Sequence, residues 1–320
     1  MIAKLILVDG ISGSGKSTTA QWLYLQLRRK GFPATWYYEY EVPHPIYHAG
    51  EVQQALMMGD ADPHRIHEKV LVNWKTLAQR IGDRDEIIIL ESTLLQTGVG
   101  SQFLINLSSA AILDHIHRVE EILSPLHPAF VYFYQDDVER ALNAICQRRG
   151  AGFDAYLLEK IQNTPYGRKH SIHDFSGVID LYRAFRQLTD AIVVQLRFQK
   201  ISLETSHGDW DDVLHRLAAF LSLGQIESPF QPCRNWDDYT GCYRLTGADQ
   251  EWCLAADERG LYVNNAFGMR LVHKTDNVFY LEGACLELAF ESDGEGTMAR
   301  VVCRGNLLDE PLVGTVWEKV

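Results

Sequence analysis

Leu5-Ile6-Leu7-Val8-Asp9-Gly10-Ile11-Ser12-Gly13-Ser14-Gly15-Lys16-Ser17-Thr18 runs from an unbroken apolar stretch, through a glycine-rich turn, into a Lys-Ser pair that opens a helical pattern. Gly10 and the Gly15-Lys16-Ser17 triplet satisfy the G-x-x-x-x-G-K-[ST] spacing in full, and both flanks agree with it. Leu5–Val8 reads as a buried strand, and Ala20, Leu23 and Leu27 recur at helical spacing before Gly31 supplies a stop. Glycines let the backbone curl until successive N–H groups point inward at an anion, and the helix adds its positive end. A nucleoside triphosphate is the ligand that uses such a cradle. Gly10, Ser12, Gly13, Ser14, Gly15, Lys16, Ser17 and Thr18 are therefore expected to bind ATP. Lys16 should reach the β- and γ-phosphates, and the Ser17 hydroxyl should sit on Mg²⁺.

Outward from the loop, strands and helices alternate. Thr35–Tyr40 is rich in aromatics and reads as a second strand. Asp62-Pro63 is a cap followed by a first-turn proline, and Ile66, Val70, Trp74, Leu77 and Ile81 then mark one buried helical face. Ile87–Leu90 is apolar throughout, as in a strand covered on both sides of a parallel sheet. Helices are predicted over Ala111–Leu123, from Asp137, over Leu181–Val194 and over Asp209–Leu223, with strands at Phe130–Tyr134 and Ile201–Leu203. This alternation predicts an α/β fold with a P-loop NTPase-type parallel sheet flanked by helices.

The rhythm changes near residue 225. Residues 225–235 lack periodicity and read as a linker between a domain over 1–224 and a second over 236–320. The second holds eight short runs split by turn residues: Tyr243–Leu245, Glu251–Ala255, Leu261–Val263, Arg270–His273, Val278–Leu281, Leu286–Phe290, Arg300–Cys303 and Thr315–Trp317. Such spacing predicts a small antiparallel all-β sandwich or barrel.

Charge narrows the function classes. Of a formal net charge of −12, most falls in residues 236–320, which hold 7 Lys and Arg against 15 Asp and Glu. An acidic module does not suit a phosphate backbone, so no nucleic-acid partner is expected. No apolar run approaches the roughly 18 residues of a membrane helix, and the short N-terminal strand is not a signal peptide. The six cysteines form no Cys-x-x-Cys pair and are read as reduced thiols of a cytoplasmic protein. His44, His48, His64 and His67 lack metal-ligand spacing and read as scattered surface or core residues.

With these features in place, residues 1–223 resemble the thymidylate-kinase-like branch of P-loop nucleoside and nucleotide kinases. Four places carry the likeness: the acidic-Gly opening of Asp9–Thr18, the Glu before proline in Tyr38-Glu39-Tyr40-Glu41-Val42-Pro43, the strand end Leu90-Glu91-Ser92, and the run from Tyr134-Gln135-Asp136-Asp137 to Cys146-Gln147-Arg148-Arg149-Gly150. Only the first is specific. The resemblance implies that Glu91 helps Ser17 hold Mg²⁺, although a strand-end carboxylate can also cap the next segment. It implies that Glu41, or else Glu39, accepts the proton of an acceptor hydroxyl, with Glu41 favoured because it precedes the Val-Pro turn. Arg148 and Arg149 would close over the transferring phosphates, or simply pair with a helix C-terminus. Arg168 and Lys169, in a lid-like segment, rank below them. Trp36, Tyr37, Tyr38, Tyr40, His44 and Trp74 could line an acceptor pocket, or be core.

Two positions depart from the family. Ser12 stands where an Asp is usual in the loop, and Ser92 stands where an Arg usually follows the strand-three carboxylate. Both family residues help to hold a nucleoside or its phosphate, so an acceptor without phosphate gains ground. The expected function is an ATP- and Mg²⁺-dependent kinase acting on a hydroxyl of a small molecule, such as a nucleoside, nucleotide or antibiotic-like metabolite. The alternative is an ATP-hydrolysing switch whose β domain engages a partner. That domain, from Trp236-Asp237-Asp238-Tyr239-Thr240-Gly241-Cys242-Tyr243, loosely resembles small barrels appended to serine β-lactamase-like hydrolases. It could shape the acceptor pocket, bind a ligand, hold a homodimer together or simply stabilise the chain.

Overall fold

The computed structural model describes residues 2–47, 63–227, 236–258, 260–263, 269–294, 296–305 and 312–320, and the side chains of 63–65 and of Arg148 lie outside that description. Asp62, His48 and most of the expected linker also lie outside it.

Five strands form a wholly parallel sheet: β1 (Leu5–Gly10), β2 (Ala34–Tyr37), β3 (Ile87–Glu91), β4 (Ala129–Tyr134) and β5 (Gln199–Glu204), in the order β2-β3-β1-β4-β5. All six residues of β1 are buried, which is why the run has no polar alternation before Asp9. Successive side chains serve opposite faces. Leu5, Leu7, Ile88, Leu90, Phe130 and Tyr132 pack with Trp74, Ile112, Ile116 and Val119. Ile6, Val8, Ile89, Val131, Phe133 and Leu203 pack with Ala20, Leu23, Leu27, Val213 and Leu217.

The helices are α1 (Lys16–Arg29), α2 (Pro63–Asp83), α3 (Gly100–Leu104), α4 (Ser109–Leu123), α5 (Val138–Arg149), α6 (Phe153–Gln162), α7 (Pro165–Lys169), α8 (Phe175–Gln195) and α9 (Trp210–Phe220). Asp137 caps α5 by accepting the Arg140 amide at 3.0 Å, and Asp209 caps α9 through Asp212 at 3.2 Å. The lid-like segment that holds Arg168 and Lys169 is helical, as α7. Strand β2 ends at Tyr37, so Glu39 lies in the turn beyond it and Glu41 in an isolated bridge after that turn, rather than in the strand. The Val42–Pro43 peptide that follows is cis.

Beyond the sheet, eight antiparallel strands close on themselves: β6 (Gly241–Leu245), β7 (Glu251–Asp257), β8 (Gly260–Val263), β9 (Met269–Thr275), β10 (Val278–Leu281), β11 (Glu287–Ser292), β12 (Met298–Arg304) and β13 (Val316–Lys319). Each pairs with its neighbour in sequence, and β13 pairs back onto β6 through Trp317↔Leu245 and Lys319↔Tyr243. Of the two expected architectures, this is the barrel. Eight strands leave an interior that side chains can fill. Tyr243, Trp252, Leu261, Phe279, Phe290 and Trp317 fill it, and Trp252 stacks on Trp317 with ring centres 4.1 Å apart.

One sequence expectation is corrected here. Cys242 and Cys253 form a disulfide, so the thiols are not all reduced. They are cross-strand partners in the β6–β7 hairpin, with Cα atoms 4.0 Å apart. Hairpin register brings them together, and no Cys-x-x-Cys spacing announces it. Cys146, Cys285 and Cys303 take no part in this disulfide, and Cys233 lies outside the described residues. Among the described residues no helix is long and apolar enough to cross a membrane.

Candidate active site

The glycine-rich loop leaves the end of β1 and closes upon a single carbonyl. The Ile11 oxygen accepts from Ser14 Oγ at 2.8 Å, from the Ser14 amide at 3.3 Å and from Lys16 Nζ at 2.8 Å. Lys16 is buried, with its ammonium folded over the loop it belongs to. Gly15 has φ of 90°, and a β-carbon there would stand 2.0 Å from the Trp210 ring. Only glycine fits that position, because the backbone is left-handed and the indole occupies the side-chain space.

Opposite the loop stands Glu91, the last residue of β3 and buried. Its Oε1 accepts from Ser17 Oγ at 2.9 Å and from Ser92 Oγ; its Oε2 accepts the Glu39 amide at 3.3 Å. A hydroxyl and a carboxylate oxygen that already converge are hard donors, the set Mg²⁺ prefers. The two residues expected to hold the metal, Ser17 and Glu91, fit it. Ser92 uses its hydroxyl on Glu91.

Ser92 has φ of 56°, and this left-handed step throws the chain into a π-helical turn over Thr93–Val99. Its purpose is visible at Asp9. The Leu95 and Gln96 amides donate to Asp9 at 2.7 and 3.0 Å, and the Gly10 amide does so at 3.0 Å. Burial pushes the Asp9 carboxyl up to about 6, against the pull of those amides and of Lys16. Asp9 thus ties β1, the start of the loop and the turn after β3 into one unit.

The two candidate proton acceptors face different surroundings. Gln96 Nε2 donates to Glu39 Oε2 at 2.6 Å. Burial, and then the charge of Glu91, push the Glu39 carboxyl up to about 7, while Lys16 pulls it down. Glu39 therefore belongs with Lys16, Glu91 and Asp9. Glu41 instead lines a crevice of about 220 Å³ between β2 and the barrel, with Trp36, Tyr280, Cys285 and Glu287. Its partner is the Tyr38 amide at 3.3 Å, and burial raises its carboxyl too.

The remaining sequence candidates divide. Arg149, at the end of α5, lies over the Phe153 ring at 5.8 Å. Arg168 donates to the Asn163 carbonyl and Lys169 to Asn106 at 3.3 Å, so both are engaged in local contacts. The six aromatics do not form one pocket. Trp74 is core; Trp36 packs on Tyr280 of the barrel; Tyr37 meets His44 and Arg80. Tyr38 and Tyr40 pair edge to face at 5.7 Å, and the charge of Glu39 pushes the Tyr40 hydroxyl pKa up. His44 staples its own loop: Nδ1 accepts from the Ile46 and Tyr47 amides, and burial lowers its pKa to about 4. His67 rests on His115 with ring centres 4.8 Å apart.

Three neighbours of the site escape sequence reading. Gln96 belongs to no motif. Tyr182, half-buried on α8, lies beside the Ser12 side chain. Trp210 reads as an ordinary first residue of the closing helix. Each reaches the site only through tertiary packing.

No protein-family model matches this chain, and no curated protein does. Solved structures are similar to it at low identity. They include the YorR protein from Bacillus subtilis in complex with phosphorylated GDP, at 14% identity over 68% of this chain and 96% of that one, with a TM-score of 0.40. A thymidylate kinase from Candida albicans is similar at 15% identity over 71% of this chain and 96% of that one, TM-score 0.43. A deoxyadenosine kinase from M. mycoides with bound dATP is similar at 13% identity over 68% and 99%, TM-score 0.39.

Proposed function

We propose that this chain is an ATP-dependent phosphotransferase that phosphorylates a hydroxyl of a small molecule. The observation that carries the reading is the meeting of a phosphate loop with two carboxylates of different character, one buried and one half-buried. Glu91 is bonded to Ser17 Oγ at 2.9 Å, while Glu39 stands beside it with its proton affinity raised.

Phosphoryl transfer needs positioning and charge neutralisation more than covalent help. Lys16 would exchange the Ile11 carbonyl for oxygens of the terminal phosphates, and loop amides would take the rest. Ser17 and Glu91 would hold Mg²⁺, which neutralises charge on the phosphates when bound. Glu39, with Oε2 fixed by Gln96, would accept the hydroxyl proton of the acceptor. The acceptor oxygen then bonds to the γ-phosphorus, the bond to the β–γ bridging oxygen breaks, and ADP leaves. A group with pKa near working pH suits this proton transfer. That favours Glu39 over Glu41, which looks into the barrel crevice. Arg149 and Arg148 would close over the phosphates from the end of α5.

Ser92 donates its hydroxyl to Glu91 and offers no cation for a phosphate already on the acceptor. An unphosphorylated acceptor, of nucleoside or antibiotic-like size, fits this best. The enzyme would act where ATP is abundant, in the cytoplasm, with residues 1–224 as its catalytic domain and 236–320 as a second domain. Full-length protein with Mg-ATP and a panel of hydroxylated acceptors should yield one product heavier by a single phosphate, and Lys16→Ala should abolish it. ATP consumed with every acceptor unchanged would defeat the reading and favour a hydrolytic switch.

A further inference from the structure

The turn between β10 and β11, residues 282–286, lies against the first turn of α1, the helix that carries Lys16, Ser17 and Thr18. The approach is close. A methyl group on Gly283, where φ is 71°, would come 3.1 Å from Thr18 Oγ1, 3.5 Å from the Thr18 amide nitrogen and 3.7 Å from Ser17 Cβ. A side chain at 283 would therefore press on the residues expected to meet phosphate and metal, and glycine also relieves the left-handed backbone.

Gln21 holds this arrangement. It stands one helical turn beyond Ser17, on the same face of α1, and is only 1% exposed. Its Nε2 donates to the Leu281 carbonyl and to the Ala284 carbonyl, both at 2.9 Å, while its Oε1 accepts the Gly283 amide at 3.1 Å. One buried carboxamide thus serves three backbone groups of a reverse turn; the Leu281 carbonyl also accepts the Ala284 amide at 3.1 Å, while the Gly283 amide and the Ala284 carbonyl find their partner in Gln21. Packing reinforces the contact. Tyr24, further along α1, meets the Tyr280 ring edge to face with centres 6.3 Å apart, and Trp36 meets the same ring at 6.3 Å. On the far half of α1, Gln26 and Arg29 bind Glu227, where the chain departs toward the barrel.

We infer that the barrel is a working part of the nucleotide site, with Gln21 as the positioning residue that couples the β10–β11 turn to Ser17 and Thr18. The inference rests on the nucleotide reading above and gives the barrel a task within it. A helix N-terminus that binds phosphate loses affinity when its first turn wanders, because ligand contacts repay their cost only at fixed geometry. Here the first turn is backed by the phosphate loop on one side and by the barrel on the other. Gln21 touches neither phosphate nor metal; it acts through α1.

Mg-ATP affinity of the full chain, measured by calorimetry well below the unfolding temperature, tests this. Gln21→Ala should weaken Mg-ATP binding by at least about tenfold. Gly283→Ala, which leaves Gln21 in place but crowds Thr18, should weaken it as well. Tyr243→Phe is the control: it removes a buried hydrogen bond to the Tyr239 carbonyl inside the barrel, remote from α1, and should lower the unfolding temperature while leaving affinity within twofold. Affinity unchanged in Gln21→Ala overturns the coupling, as does an equal loss in Tyr243→Phe, which would mean that barrel stability alone matters. Wild-type protein without affinity for Mg-ATP would instead refute the nucleotide site itself.

Discussion

Replacing Glu39 with Gln separates a carboxylate that serves chemistry from one that serves the fold. The substitution keeps shape and one oxygen for Gln96 while removing a charge beside Glu91. Burial and that neighbour raise the Glu39 carboxyl from an ordinary 4.5 to about 7. A carboxyl whose folded pKa lies above its unfolded value binds its proton more tightly in the folded state. Its folded form is therefore favoured at low pH and loses stability as pH rises from about 4.5 through about 7. A shift of this size corresponds to about 3 kcal/mol. Glu39 keeps partial solvent contact and shares the effect with Glu91, so we take about 2 kcal/mol as the cost carried by the wild type at pH 8.

The variant should escape that cost. Urea unfolding at a series of pH values should give matching stabilities below about pH 4.5, a gap that opens between 4.5 and 7, and a plateau of about 2 kcal/mol in favour of Glu39→Gln above it. In a melting experiment at pH 8 this is an upward shift of roughly 4–8 °C. Turnover should fall by about 10²- to 10⁴-fold, the usual contribution of a general base, with Mg-ATP still bound. In the wild type, activity should climb with pH up to about 7 as the base form appears. Parallel stability curves for the two proteins across this range would show that Glu39 bears no buried charge. A variant that is more stable yet fully active would leave Glu39 without its catalytic role.

Gly15→Ala places a β-carbon 2.0 Å from the Trp210 ring at φ of 90°. It should abolish Mg-ATP binding in calorimetry and destabilise by about 2–4 kcal/mol. Adding Trp210→Ala should restore folding in part but not the left-handed backbone, and complete rescue of binding would show that the ring contact was the whole effect. Cleaving the Cys242–Cys253 disulfide, by reductant or by Cys253→Ser, opens a hairpin loop with a sequence separation of 11. The barrel should lose about 3 kcal/mol, read from its urea midpoint.

What the sequence makes legible is what neighbouring residues decide among themselves. Leu5–Thr18 announces strand, loop and helix because each element is fixed by its own apolar run or its own glycines. The eight barrel strands are legible for the same reason, as short alternating runs between turns. Closure is not, because it depends on β13 meeting β6, whose residues Lys319 and Tyr243 stand at opposite ends of the module. The disulfide is hidden similarly, in hairpin register. The π-helical turn after β3 has no periodic signal, because its amides find Asp9 at the end of another strand.

The choice between Glu39 and Glu41 shows how fine this limit is. In an extended strand, residues two apart share a face, so a strand continued through Glu41 would leave the two carboxylates equivalent. The chain instead turns after Tyr37, with the Glu41 amide donating to the Tyr38 carbonyl at 3.0 Å. That one hydrogen bond breaks the alternation, sending Glu39 toward Glu91 and Glu41 toward Cys285 and the barrel. The same turn therefore separates a carboxylate facing the phosphate loop from one facing the appended module. Since that module also grips α1 through Gln21, both edges of the glycine-rich loop are set by contacts that no local pattern encodes.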